Sequence, residues 1–172
     1  MGFLELVKKR YSVRKYKSDE VPKEKLDYVL EAFRLAPSAC NKQPYKLFIF
    51  ETRGKEKLLE VYNRDWFAKA PLIIVACTKK SAAWERMDKK NYADVDLTIA
   101  LDHLILAATE QGLGTCWIAA FNPKKAVEVF NIPSDLEPLM LVTLGFADDS
   151  PREKNRKSIG ELVSKNYPLS II

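Results

Sequence analysis

The feature of this chain that most restricts its fold is a long segment, Tyr92 to Gln111, whose apolar side chains would cover nearly every side of a helix. Those side chains belong to Val95, Leu97, Ile99, Leu101, Leu104, Ile105 and Leu106. A helix without a polar face is buried, because no side of it is suited to water. We therefore predict a central helix over 92–111, closed by Gly112 and Gly114, with the other elements packed around it.

The rest of the chain alternates between helical and extended patterns. Further helices are predicted at 3–7, from Pro22 to before Pro37, near 58–62, and from Asn122 to Phe130, where Asn122 and Pro123 suit a cap and a first turn. Strands are predicted for the sequences KLFIF, APLIIVACT, TCWIAAF and PLMLVTLGFA. By itself, this alternation favours a parallel α/β sheet.

Composition indicates an ordinary globular protein of one domain. The chain has 172 residues, of which 47% are hydrophobic and 30% charged. Its net charge of +5 permits an anionic partner, either a small molecule or a nucleic acid. No stretch approaches the roughly 20 apolar residues of a membrane helix, and the N-terminus lacks a signal-peptide pattern, so we expect a cytoplasmic protein without a membrane partner. The cysteines Cys40, Cys77 and Cys116 form no C-x-x-C pair, and we expect buried free thiols.

The segment RYSVRKY, residues 10–16, places polar side chains at every second position. In an extended chain Arg10, Ser12 and Arg14 would point to one side, and the intervening residues 11, 13 and 15 to the other. Guanidinium groups bind phosphate or carboxylate through paired N–H donors. The segment is therefore either an anion-binding element or a solvated basic loop.

Three other segments also allow two interpretations each. The sequence APSACNKQPY, residues 36–45, is either a plain helix-to-strand loop or a binding loop with amide donors and acceptors. In GLGTCWIAAF, residues 112–121, the two glycines either end a helix or let the backbone approach another group closely. The sequence KNR, residues 154–156, is either a solvated loop or a second anion-binding element.

In this order and spacing, the four segments resemble the nitroreductase family of FMN-dependent oxidoreductases, and the chain is similar to its short members. The resemblance implies a single domain over residues 1–172. It implies an α+β fold with helices around a mostly antiparallel central sheet, in place of the parallel sheet that the alternation favours. It also implies an enzyme that takes electrons from NADH or NADPH, passes them through bound FMN, and reduces a nitroaromatic, a quinone or a similar small-molecule acceptor.

In that family the N-terminal segment holds the flavin. By this resemblance Arg10 and Ser12 would face the phosphate and the ribityl chain, with Tyr11 between them, and Arg14 would lie near N1 and the C2 carbonyl. The family also has a segment whose backbone N–H meets flavin N5. Its counterpart here is Trp117, Ile118, Ala119 and Ala120.

The family's second basic segment clamps the FMN phosphate near the C-terminus. Lys154 and Arg156 match it, and the neighbouring Arg152 and Lys157 are alternatives. No metal site is implied.

Two departures from the family pattern concern the flavin edge and the substrate entrance. Asn63 matches an asparagine that reaches the flavin pyrimidine in longer members, but Trp66 stands where those members have a lysine. The chain also lacks the helical insertion that shapes the substrate entrance there. Because the flavin carries the chemistry, no catalytic side chain is expected. Because His103 lies within the long apolar helix, it is predicted to be a core or interface residue with a satisfied hydrogen bond.

Part of the site would come from the second subunit of a homodimer. The residues that match this contribution lie in one loop: Pro37, Ser38, Ala39 and Asn41, with Gln43 beside them. Residues 158–172 are predicted to form a C-terminal arm on the partner. The apolar tail YPLSII suits such docking, although a groove of the same chain would also accept it.

Two alternatives stay open at this point. A basic nucleic-acid-binding module is suggested by the pI near 9.0 and by aromatic residues near cations. A flavin-binding relative without reductase activity would retain the cofactor but not the reaction. A visible spectrum distinguishes the nucleic-acid-binding module from a flavoprotein, since only a flavoprotein is yellow.

Overall fold

Four strands form one sheet: β1 (Tyr45–Glu51), β2 (Leu72–Thr78), β3 (Gly114–Ile118) and β4 (Glu137–Gly145). Their spatial order is β1-β2-β4-β3, and every neighbouring pair is antiparallel. The structure is a computed structural model that describes residues 1–53 and 57–164. The antiparallel α+β arrangement is confirmed, and the parallel sheet is wrong. Alternation does not determine strand direction, because a connection that contains a helix can return the chain to either end of a sheet.

The helices are α1 (Phe3–Lys9), α2 (Lys23–Arg34), α3 (Leu58–Val61), α4 (Asp65–Ala68), α5 (Ala93–Glu110), α6 (Pro123–Phe130) and α7 (Ile159–Leu162). Five of them agree with the sequence pattern. The other two, α4 and α7, have 4 residues each and were not predicted from the sequence. The predicted cap of α6 is confirmed, because the Asn122 side chain accepts a hydrogen bond from the backbone N–H of Lys125.

The long helix α5 is buried along most of its length, as predicted. Leu97, Leu101 and Leu104 are fully buried, and α2 packs against the helix. One stripe that includes His103 is exposed, and within residues 1–53 and 57–164 no element covers it. The His103 Nδ1 atom lies 2.9 Å from the carbonyl oxygen of Ile99. The expected hydrogen bond is therefore present, whereas a core position for this histidine is wrong.

Helices cover both faces of the sheet, so most residues of the central strands β2 and β4 are buried whichever way they point. In β2, Ile74 belongs to the core beneath α2 and α5, whereas Val75 belongs to the core beneath α3, α4 and α6. This two-sided burial explains why the core strands are nearly continuous apolar runs rather than alternating patterns.

The cysteines are free thiols, as predicted, but their burial differs. Cys77 and Cys116 lie in the core beneath α3, α4 and α6. Cys40 is exposed, which corrects the prediction of burial. It lies in the loop between α2 and β1, where no strand or helix face holds it inside.

Candidate functional site

The segment 10–16 is extended and lies against the free edge of β3. Ser12 forms a parallel bridge with Thr115, and the backbone N–H of Val13 donates to the Thr115 carbonyl at 2.9 Å. Two residues beyond Val13, the Lys15 carbonyl accepts a hydrogen bond of 2.9 Å from the Asp148 N–H. These backbone bonds hold the segment at fixed register, so its side chains are presented in a defined order.

The two glycines after α5 have different roles. Gly112 has φ of 75°, a left-handed conformation that ends the helix. Gly114 permits a close approach, because a Cβ atom there would lie 2.6 Å from Cγ2 of Val13. The close approach is thus to the 10–16 segment itself, and Val13 fills the space with only 1% of its surface exposed.

The polar side of the segment borders a groove of about 530 Å³, which we call the cationic groove. Arg10, Ser12 and Arg14 line one wall. Residues from 149 to 156 line the other, including Lys154 and Arg156. Segments from opposite ends of the chain therefore meet there, as the resemblance implied. Of the two alternative cations, Arg152 borders the groove, whereas Lys157 does not.

Lys154 is held in the groove by the end of α1. Its Nζ donates to the carbonyl oxygens of Val7 at 2.6 Å and Lys8 at 2.5 Å. These carbonyls belong to the last turn of α1, where the helix dipole favours a cation. The pKa of Lys154 is nevertheless lowered, first by burial and then by repulsion from Arg10 and Arg156. The three cations are therefore close enough to repel one another, an arrangement that an anion would stabilise.

Asp149 positions the wall of the groove that residues 10–14 form, although sequence reasoning did not single it out. Its Oδ2 accepts the backbone N–H of Arg14 at 2.8 Å. The Tyr11 hydroxyl donates to the Asp149 carbonyl oxygen at 2.8 Å and lies 3.1 Å from its Oδ1. Burial, followed by the hydrogen bond to the Asp149 carboxylate, raises the pKa of Tyr11 to about 12. Because its ring reaches Asp149, Tyr11 also borders the groove, which corrects the strict alternation predicted for the segment.

A second pocket, of about 580 Å³, lies where the segment turns towards α4. Asn63 and Trp66 line it together with Lys15 and Tyr16. The structure thus brings Asn63 next to the 10–16 segment. The Trp66 ring packs edge-on against Tyr62, with centroids 5.7 Å apart, so it is a fixed wall and does not replace the charge of a lysine.

The segment after β3 lies at the end of that strand opposite Gly114. Ile118 ends β3 and is buried, Trp117 is half-buried, and Ala119 and Ala120 are exposed. The chain there is held by the Asn122 N–H, which donates to the Val61 carbonyl at 2.8 Å. Ala119 and Ala120 are therefore open to solvent in this chain.

The loop 37–43 is not brought to the cationic groove of its own chain. It precedes β1, which is three strands away from β3 across the sheet, or about 14 Å at the usual spacing. It also joins the opposite end of the sheet: Tyr45 pairs with Thr78, whereas Gly114 pairs with Gly145. In the part of the chain that the structure describes, the loop therefore does not border this groove.

A family model described as Nitroreductase family matches residues 7–63 and 58–146 of the chain. The match contains the extended segment, the loop before β1, and the region around β3. This chain belongs to the nitroreductase family. Nitroreductase relatives among the solved structures share its whole fold. A nitroreductase family protein from Clostridium difficile 630 has a TM-score of 0.87 at 37% identity, over 98% of this chain and 100% of that one.

Two further relatives carry more informative names. An FMN-dependent nitroreductase from Clostridium difficile R20291 has a TM-score of 0.80 at 30% identity, over 96% of this chain and 99% of that one. A protein of Methanothermobacter thermautotrophicus, provisionally named NADH dehydrogenase/NAD(P)H nitroreductase, is 32% identical over 88% of this chain and 80% of its own length. Each name describes the relative that carries it.

In the part of this chain that the structure describes, no helix is long and apolar enough to cross a membrane. The expected cytoplasmic location stays a prediction.

Proposed function

We propose that this nitroreductase binds FMN and uses it to carry electrons from NADH or NADPH to a nitroaromatic, a quinone or a similar small acceptor. The observation that carries the proposal is the convergence of Arg10, Lys154 and Arg156 on one groove, from both ends of the chain. An FMN-dependent relative with the same fold supports the choice of cofactor.

The groove suits the phosphate of FMN. A phosphate monoester carries a charge of about −1.5 to −2 at neutral pH. Burial lowers the pKa of Lys154 first and repulsion from Arg10 and Arg156 lowers it further, and such a charge would relieve that repulsion. Arg10, Lys154 and Arg156 would hold the phosphate, and Ser12 would donate to the ribityl chain.

The remaining residues would orient the flavin ring. Bound FMN supplies the redox chemistry, accepting electrons from the nicotinamide and passing them to the acceptor. Arg14, whose backbone Asp149 fixes, would place positive charge near N1 and the C2 carbonyl. Asn63 would bond to the pyrimidine edge, and the backbone of residues 117–120 would lie near N5.

We further propose a homodimer with two flavin sites at its interface. Loop 37–43 is at the corner of the sheet farthest from its own cationic groove, so its polar residues would complete the site of the partner. The arm 158–172 is proposed to pack on the partner as well. Residues 165–172 of this arm, which include the tail YPLSII, lie outside the described residues.

A direct experiment tests this function. The purified protein is expected to be yellow, with a flavin spectrum that NADH or NADPH bleaches and that a quinone or nitroaromatic restores. Steady-state rates with both nicotinamides and with quinones, nitroaromatics and free flavin would define the acceptor. A protein that binds no FMN when reconstituted would refute the proposal, and a yellow protein that neither nicotinamide bleaches would indicate a flavin-binding relative without reductase activity.

Arg14→Ala is expected to lower the reduction potential of the bound flavin. A cation beside N1 stabilises the anionic reduced flavin more than the neutral oxidised form. The scale to look for is roughly 30 mV, which for two electrons corresponds to about 1.4 kcal/mol. The measurement is a spectroscopic redox titration. Lys17→Ala is the control, because Lys17 borders neither the groove nor the second pocket. An unchanged or raised potential in Arg14→Ala, with FMN still bound, would contradict the role given to Arg14.

A further inference from the structure

Asp96 is a carboxylate near the start of α5 with only 2% of its surface exposed. Its Oδ1 accepts a hydrogen bond of 2.9 Å from the backbone N–H of Ala39. Its Oδ2 is buried and has no hydrogen-bond partner within residues 1–53 and 57–164. A buried carboxylate is costly unless its contacts repay the lost hydration, so its position directly beneath the loop 37–43 points to a role there.

The loop above Asp96 is strained. Cys40, Asn41 and Gln43 have φ values of 50°, 54° and 47°, and none of them is glycine. Non-glycine residues keep left-handed conformations only where surrounding contacts hold them, and such strain is often found at ligand sites. The loop therefore needs an anchor.

The hydrogen bonds of residues 38–41 identify that anchor. In the described part of the chain, almost all of them stay within the loop, such as the bond of 3.1 Å from the Gln43 N–H to Ser38 Oγ. The bond from Ala39 to Asp96 is the one that reaches the rest of the fold. The far end of the loop also approaches the same carboxylate. The Tyr45 hydroxyl is buried, and its pKa is raised by burial and then by the charge of Asp96.

We propose that Asp96 is a positioning residue that holds the 38–41 backbone in the shape required to contact the flavin bound by the partner subunit. This inference rests on the proposed function, in which the loop completes the partner's site. Residues 37–41 carry no cation, and the proposed function already gives the phosphate to Arg10, Lys154 and Arg156, so we place the loop against the flavin ring or the ribityl chain. Loss of the anchor therefore weakens FMN and riboflavin by the same factor.

The test measures both ligands with three variants of the full chain, at protein concentrations where wild type and variants are dimers. Asp96→Ala should weaken FMN and riboflavin alike by roughly tenfold, the effect of losing one charge-assisted hydrogen bond. Asp96→Asn keeps a neutral acceptor for the Ala39 N–H, and because a neutral hydrogen bond is about half as strong as a charge-assisted one, it should lose only about threefold. Asp94→Ala removes the same charge from an exposed site in the same turn and should bind as wild type does.

A second approach removes the donor instead of the acceptor. Ala39→Pro lacks the N–H but suits the site, because Ala39 begins a 3₁₀ turn and Ser38 before it is extended, with φ of −141° and ψ of 159°. It should weaken both ligands as Asp96→Ala does. The double variant should lose no more than either single variant, since both remove one hydrogen bond.

The outcomes separate this inference from the proposed function. A wild-type protein that binds no flavin would refute the function. If wild type binds flavin, Asp96 has no positioning role when Asp96→Ala binds like Asp94→Ala, when Asp96→Asn loses as much as Asp96→Ala, or when only FMN is affected. If Asp96→Ala does not fold, Ala39→Pro decides, because unchanged binding of both ligands by that variant overturns the inference.

Discussion

Arg156→Ala is expected to bind FMN about 10- to 100-fold more weakly than wild type and to bind riboflavin equally well. A charge-assisted hydrogen bond contributes about 1.5–3 kcal/mol, and riboflavin has no phosphate to receive it. Turnover at saturating FMN should stay near wild type, because the guanidinium does not touch the ring. Arg156 is the best test of the clamp, since within residues 1–53 and 57–164 its guanidinium donates a hydrogen bond only to the adjacent Asn155 carbonyl.

The measurement is a titration of FMN and riboflavin into apo-protein. Arg10→Ala should behave like Arg156→Ala. Lys154→Ala should lose more, because Lys154 also bonds the carbonyls at the end of α1. Lys157→Ala is the matched control, a cation next to Arg156 that does not border the groove. Equal losses for both ligands, or no loss for either, would contradict the phosphate clamp, and a weak loss removed by salt would indicate a solvated loop.

Leu35→Asp is expected to separate the proposed homodimer into monomers, with a dimer dissociation constant raised by more than about 100-fold. Leu35 follows α2, is 65% exposed, and lies two residues before the loop that would enter the partner's site. Burying a leucine contributes about 1.5–3 kcal/mol, and a symmetric dimer loses that contribution twice. Because each flavin site would need both chains, FMN binding should fall with the dimer.

Sedimentation across a range of protein concentrations measures this effect, together with FMN occupancy. Occupancy in Leu35→Asp should recover at high protein concentration, because dimerisation follows mass action. Leu59→Asp is the control, since Leu59 is 42% exposed on α3, which lies on the other face of the sheet. A wild-type monomer that binds FMN at every concentration would refute the dimer.

Deleting residues 167–172, outside the described residues, should loosen the dimer, and an unchanged dissociation constant would exclude a role for the tail.

Elements with strong local patterns could be predicted from the sequence. The helix α5, the strands β2 and β4, and the Asn122 cap depend on hydrophobic runs and on one side chain bonding to its own turn. The exposure of His103 and Cys40 could not be predicted, because exposure depends on which neighbouring element covers a surface. Asp149 and Asp96 were missed for a related reason, since each acts on backbone N–H groups at least 50 residues away in sequence.

The sequence alone determined which segments are helical, which are extended, and which carry the charge for an anion, because periodicity and residue chemistry act over a few neighbouring positions. Tertiary structure decided the direction of the strands, the meeting of Arg10 with Lys154 and Arg156, and the separation of loop 37–43 from that groove. Those features depend on the order in which the strands pair across the sheet and on the backbone pairing of residues 10–16 with the edge of β3. Pairing of this kind joins the backbone N–H and C=O groups that every residue except proline carries, so residue identities record little of it.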